Sequence, residues 1–178
     1  MALIHIKTER ANSSTSITFT GIDNTYDVYE FHFVNIHPAT DNVNFTFQVN
    51  PTDGADFNDS PITSTFFYNS QNESGSTSGP GYETGFDLGN AASFQVLANY
   101  LGNENDESAS GILTLYSPAS TTYMKNFTSR IQNVTQNQYS RDNYAAGYIN
   151  DATAIDDINF KMSSGNIDKG VIHMYGVT

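Results

Sequence analysis

Residues 154–177 read AIDDINFKMSSGNIDKGVIHMYGV. Ile158, Phe160 and Met162 alternate with Asp157, Asn159 and Lys161, the period-two pattern of a strand with one buried and one wet face. After Ser163, the residues Gly165, Asn166, Asp168 and Gly170 accept positive φ or hydrogen-bond locally, and residues 171–175 alternate again. This pattern predicts two strands joined as a β-hairpin at the end of the segment. It carries no catalytic equipment, so it decides the fold class and leaves function to the rest of the chain.

Moving outward, the same alternation recurs. The strongest instance is residues 26–36, where Tyr29, Phe31 and Phe33 form an aromatic face against Val28, Glu30 and His32. Pro38 ends it, because proline donates no ladder hydrogen bond. Val43, Phe45, Phe47 and Val49 then face one way while Asn44, Thr46 and Gln48 face the other, and the short polar turn between the two runs predicts a hairpin or meander. Further strands are expected at residues 3–7, 17–20, 62–68, 112–116, 121–131 and 144–149. Residues 69–82 read as a Ser/Gly/Asn surface loop. In residues 91–101 (AASFQVLANYL), Phe94, Leu97, Ala98 and Leu101 fall at helical spacing, with Gly102 at the C-terminal position, so the one short helix is expected there. The fold expected is all-β, an antiparallel jelly-roll-like β-sandwich with one short helix. Residues 1–15 form an N-terminal arm or edge strand, and residues 16–178 a single sandwich domain.

Composition narrows the partners. The chain has 178 residues, enough for one substantial core. It carries a net charge of −12 with seven Lys and Arg, which argues against nucleic-acid binding, since affinity for phosphate backbones rests on cations that displace counterions. There is no cysteine, so disulfides, thiolate zinc sites and cysteine nucleophiles are excluded together. The first residues, MALIHIKTERANSS, lack the apolar run of a signal peptide, and no run has the ~20 apolar residues of a membrane span. Synthesis in a cytoplasm is the expectation. Asn-x-Ser/Thr sequons at Asn12, Asn44, Asn58, Asn72, Asn126 and Asn133 are read as unmodified products of composition.

Candidate chemistry is sparse. His5, His32, His37 and His173 are far apart in sequence and show no His-x-His or His-x-x-x-His spacing, so they read as packing or interface residues before metal ligands. Asp53, Asp56, Asn58 and Asp59, and separately residues 102–107 (GNENDE), are oxygen-rich but lack the twelve-residue calcium-loop pattern, and read as solvated loops. Asp156 and Asp157 are adjacent, so in a regular strand they point to opposite faces and make no local glycosidase pair. Residues 75–79 (GSTSG) place serine wrongly for a nucleophile elbow. No catalytic, cofactor-binding or metal residue is assigned, and a small hydrolase is the weakest reading. Eleven tyrosines suit sugar stacking and protein interfaces equally.

The stretch FKMSSGNIDKGVIHMYGV resembles the closing hairpin of small β-rich virion structural proteins of tailed bacteriophages of the marine, cyanophage-like kind, where a strand, an S-G-N-I-D-x-G turn and a strand ending in Y-G finish the chain. Residues 26–47 (YDVYEFHFVNIHPATDNVNFTF), 110–116 (SGILTLY) with 120–122, and 140–151 (SRDNYAAGYIND) fit the same series in the same order, covering most of the chain after about residue 16. The resemblance implies a non-enzymatic virion structural protein, a capsid cement or decoration protein that stabilises the outer shell as an oligomer. Its partners would be the major capsid protein and itself as a homotrimer, on the outer capsid surface, with no cofactor, nucleic acid or membrane. The acidic charge agrees with a place outside the shell, away from the genome. Residues 1–10 would bridge subunits. The alternative is a receptor- or carbohydrate-binding module of a phage fibre, with residues 69–82 and exposed tyrosines contacting a host surface glycan.

Overall fold

In a computed structural model, residues 2–178 are described, and Met1, the first residue of the expected bridging arm, lies outside them. The fold is nearly all β, two antiparallel sheets packed as a jelly-roll-like sandwich. The large sheet contains β1 (Leu3–Ser14), β3 (Val28–Pro38), β5 (Ile62–Asn72), β6 (Ser78–Tyr82), β9 (Ala109–Tyr116), β10 (Lys125–Val134), β11 (Tyr139–Ile149) and β13 (Ile167–Val177), in the order β1-β13-β3-β9-β10-β11-β5-β6, and β7 (Gly89–Ala91) adds to β5. The small sheet has the order β2-β12-β4-β8, from Ile17–Thr20, Ile155–Met162, Val43–Pro51 and Gln95–Leu101.

The strands at both ends of the chain are where the sequence led, but their pairing is not. β12 pairs with β2 and β4, whereas β13 pairs with β1 and β3. Residues 154–177 are therefore a corner that crosses between sheets, and the hairpin expectation is corrected. The same holds for β3 and β4, which belong to opposite sheets. A short polar turn looks alike in sequence whether it folds a ribbon back on its own sheet or carries it over the sandwich edge. What separates the cases is that both strands of each pair have a wholly apolar face, and two such faces bury more surface opposite each other than side by side. At the last corner Gly165 takes φ +70° with Thr40 packed where a side chain would start, so the turn needs a residue without Cβ.

The expected helix is also corrected. Residues 95–101 are strand β8, and the only helical element among the described residues is a 3-10 turn, Thr84–Phe86. In β8 Gln95, Val96, Leu97, Ala98, Asn99 and Leu101 are all buried, so both faces are covered and the two-residue alternation disappears. Phe94, Leu97, Ala98 and Leu101 then fall at helical spacing by coincidence. Residues 69–82 are a second correction, since β5 runs on to Asn72 and pairs with β6 through Gln71↔Ser78. Asn72 closes the hairpin tip, its Oδ1 accepting from the Thr77 N–H at 3.0 Å and its Nδ2 donating to Ser76 at 2.9 Å. Residues 3–14 pair with β13 of the same chain from Leu3↔Val177 to Ser14↔Ile167, an edge strand in place of a free arm.

Aromatic rings from both sheets fill the core. Phe160 of β12 meets Phe33 at 5.2 Å and Phe31 at 5.4 Å between ring centroids, both from β3, and stacks on Phe45 of β4 at 6.0 Å. Phe47 of β4 meets Phe127 of β10 edge-on at 5.0 Å. Edge-to-face contacts of this kind add about 0.5–1.5 kcal/mol each beyond the area they bury. Lys125, fully buried at the rim, donates its Nζ to the carbonyls of Asp151 (2.8 Å) and Thr153 and so fixes the loop before β12. Burial, partly offset by Asp151, holds its amine below the ordinary lysine range. No helix is long and apolar enough to cross a membrane among the described residues.

Candidate functional site

The outer faces of the two sheets differ. On the small sheet Gln48 points away from the core yet is buried, because the segments before β5 and β8 cross over it: Gln48 Nε2 donates to the Ser60 carbonyl at 3.2 Å and to the Ser93 carbonyl at 3.1 Å, while Asn159, also buried, donates to Thr18 Oγ1 at 2.7 Å. On the large sheet none of the described residues covers the outer face, and the outward side chains of β10 are exposed. Register places side chains there in transverse rows. One row crosses all eight strands of the main path as Thr8, His173, His32, Ile112, Arg130, Tyr144, Phe67 and Tyr82. The adjoining row holds His5, Tyr175, Glu30, Thr114, Thr128, Ala146 and Thr65. A shallow groove of about 800 Å³ runs between them past Glu30, Thr114, Arg130 and Tyr144.

This face is ordered by its own contacts. The Phe67 and Tyr144 rings stack at 4.8 Å, within 4° of parallel. Arg130 makes two-pronged hydrogen bonds to Asp142, from Nε at 3.1 Å and Nη2 at 2.9 Å, and the Tyr144 hydroxyl donates to the same carboxylate at 2.7 Å. Burial pushes the Asp142 carboxyl up, but the Arg130 and Tyr144 hydrogen bonds outweigh it and hold the carboxyl below its usual range. At the β1 end, Thr8 Oγ1 sits 2.7 Å from His5 Nε2 and 2.8 Å from His173 Nδ1, while His32 Nε2 lies 2.7 Å from Glu30. The Tyr175 ring lies between, 4.8 Å from His32 and 5.5 Å from His5. Burial, then His5, Arg10 and His32, lowers the pKa of His173.

Three of the four histidines, far apart in sequence, are thus gathered by β1, β13 and β3 into one patch. His37 lies apart, with its Nε2 at 3.0 Å from the Glu104 carbonyl. Among the described residues no group of three or more His, Asp or Glu is arranged to hold a metal ion. The two oxygen-rich loops close on themselves. Glu107 is buried and accepts from the Glu104 N–H at 2.7 Å and from Gln138 Nε2 at 3.0 Å, and Asp56 accepts from the Asn58 N–H at 2.8 Å. Asp156 and Asp157 sit at a register shift in β12, where burial and then the neighbouring Asp156 raise the Asp157 carboxyl. Residues 75–79 lie at the tip and start of the β5–β6 hairpin, with Ser76 engaged by Asn72.

A second concavity escaped the sequence reading. At the end of the sandwich where the large sheet overhangs the small one, a cavity of about 460 Å³ is lined by Tyr68, Tyr100, Tyr139, Gln136, Thr77 and Arg141 among others. Tyr100 has φ +53° inside strand β8, a left-handed conformation that costs a tyrosine about 1–2 kcal/mol and turns its side chain outward between buried Asn99 and Leu101. Its N–H is caught by Asn44 Oδ1 at 3.0 Å. The only sequence signal was an excess of tyrosine, which has no positional content.

An acidic antiparallel sandwich with one closed and one open outer face is the class that fold and surfaces define. Comparison with family models, with curated proteins and with solved structures finds no match to this chain.

Proposed function

We propose that this chain is a non-enzymatic virion structural protein of a tailed bacteriophage, a cement or decoration protein that attaches to the outer capsid and acts as an oligomer, most simply a homotrimer. The observation that supports this reading is the open face of the large sheet. Seven inter-strand steps of about 4.8 Å make it roughly 34 Å wide. Arg130 and Glu30 in its two rows, with Arg10 and Asp142 on the same face two residues along their strands from Thr8 and Tyr144, make two bases and two acids, so these groups contribute nothing to the chain's net charge of −12. Val34, Phe67, Ile112 and Tyr116 stand exposed on it. Aromatic and arginine side chains with balanced charge are the composition of protein-docking surfaces. The work would be mechanical: each copy buries this face on capsid subunits, and an oligomer multiplies the contacts through effective concentration.

Imaging purified particles by cryo-electron microscopy tests the reading directly. Copies in icosahedral register on the shell are expected, with deletion particles losing genome earlier on heating while adsorbing normally. Copies confined to a tail or fibre tip would overturn it. An Ile112→Glu variant should fold normally and fail to decorate particles.

A further inference from the structure

The geometry points to a binding site for a carboxylate-bearing sugar in the end cavity beside Arg141, a function separate from capsid attachment. The first observation is how Arg141 is held. Its guanidinium lies over the Tyr68 ring, 4.0 Å from the centroid, with Tyr100 at 5.3 Å on another side, and Tyr68 is backed against Gly81, where a Cβ would strike the ring. From behind, Arg141 Nη1 donates to Asn99 Oδ1 at 3.1 Å. Asn99 belongs to a buried amide relay: its backbone carbonyl accepts from Asn133 Nδ2 at 3.1 Å, and Asn133 Oδ1 accepts from Asn143 Nδ2 at 2.7 Å. One buried asparagine from β8 therefore fixes the arginine at a cavity wall, and two more from β10 and β11 brace that asparagine, a degree of support that binding groups need and a plain surface arginine does not.

The second observation is charge. In a chain of 19 acids and seven bases, Arg141 has no carboxylate within 4.0 Å among the described residues. Its Nε and the Asn99 Nδ2 are buried without hydrogen-bond partners, against one unpaired acceptor of the relay, Asn143 Oδ1, so the cluster holds a surplus of one donor. A planar guanidinium with spare donors matches one carboxylate. A phosphate or a polyanion fits poorly, because Glu83 stands close enough to help raise the Tyr100 phenol, after the larger effect of burial, and the whole molecule repels multiple negative charge.

The third observation is the rest of the wall. Tyr100 and Tyr139 offer apolar rings with polar tips, and the β10–β11 turn and the β5–β6 hairpin contribute the Gln136 amide and the Thr77 hydroxyl. Ring faces beside paired donors and acceptors suit the C–H faces and vicinal hydroxyls of a pyranose better than an extended peptide, which would seek a free strand edge. At about 460 Å³ the cavity admits one or two sugar units.

The test uses the full chain and the methyl glycosides of glucuronic, galacturonic and N-acetylneuraminic acids, each paired with its carboxyl methyl ester, which removes the charge and keeps the ring. Titration followed by NMR should show at least one acid binding about tenfold or more tighter than its ester, with shifts at Tyr100, Gln136 and Tyr139. Arg141→Met should abolish that preference, and Thr77→Trp, which fills the cavity from the exposed hairpin without touching the amide relay, should block binding with the thermal midpoint unchanged. Binding of none of the acids, equal binding of acid and ester, or full binding by the Thr77→Trp protein would overturn the assignment. None of these outcomes bears on whether the open face docks on a capsid.

Discussion

Gln48 on the small sheet and Ile112 on the large one invert the usual expectation. The amide is buried on a face that points away from the core, under chain segments whose carbonyls it bonds, while the isoleucine stands exposed in the middle of a sheet. Alternation along a strand decides only which residues share a face. Whether that face meets solvent, a covering loop or another molecule depends on where the connections run. Here the connections lie over the small sheet and leave the large one bare, so the polar small-sheet face is structural and the partly apolar large-sheet face is available for recognition.

The largest effect expected from this contrast is on stability. Gln48→Ala strands the buried Ser60 carbonyl and removes the buried acceptor of the Val49 N–H, with an expected loss of about 2–3 kcal/mol, whereas Ile112→Thr on the open face should stay within about 0.5 kcal/mol. Urea unfolding of both variants measures the difference, and equal losses would break the distinction between the faces.

A smaller effect concerns pH at the β1 end of the open face. His173 has a folded pKa below its ordinary value, so the unfolded chain binds more protons in the window just beneath about 6.5. Stability should be complete above that window and fall as pH drops through it. In the His173→Gln protein the slope between pH 7 and pH 5 should be shallower by this residue's share. An unchanged slope would remove the histidine patch from the account.

Little effect is expected in the Arg130→Gln protein as well, which loses a two-pronged but exposed ion pair with Asp142 worth about 0–1 kcal/mol. A loss well above that range, insensitive to salt, would mean that the open face is a structural element in its own right and not a surface kept for a partner.

How much could be read beforehand follows from the same physics. The aromatic alternation of Tyr29, Phe31 and Phe33, and of Val43, Phe45 and Phe47, marks one-sided strands wherever they end up. It was enough for the all-β class and for most strand positions. β8 was lost because burial on both faces erases the alternation, and β6 because glycine, proline and serine give it no apolar face at all. Of the candidate groups, the histidines were visible as residues but not as a patch. Arg141 looked like one basic residue among seven.

By itself the sequence determined local matters: strand propensity, turn chemistry at Gly165 and Asn72, the acidic charge and the absence of thiol chemistry, all set by a residue and its near neighbours. Tertiary structure alone decided which strands crossed from sheet to sheet, which face lay bare, and which distant residues met. Those depend on how two apolar faces bury each other, and the contacts that result, His5 with His173 or Arg141 with Tyr68, join positions whose separation along the chain holds no trace of their approach.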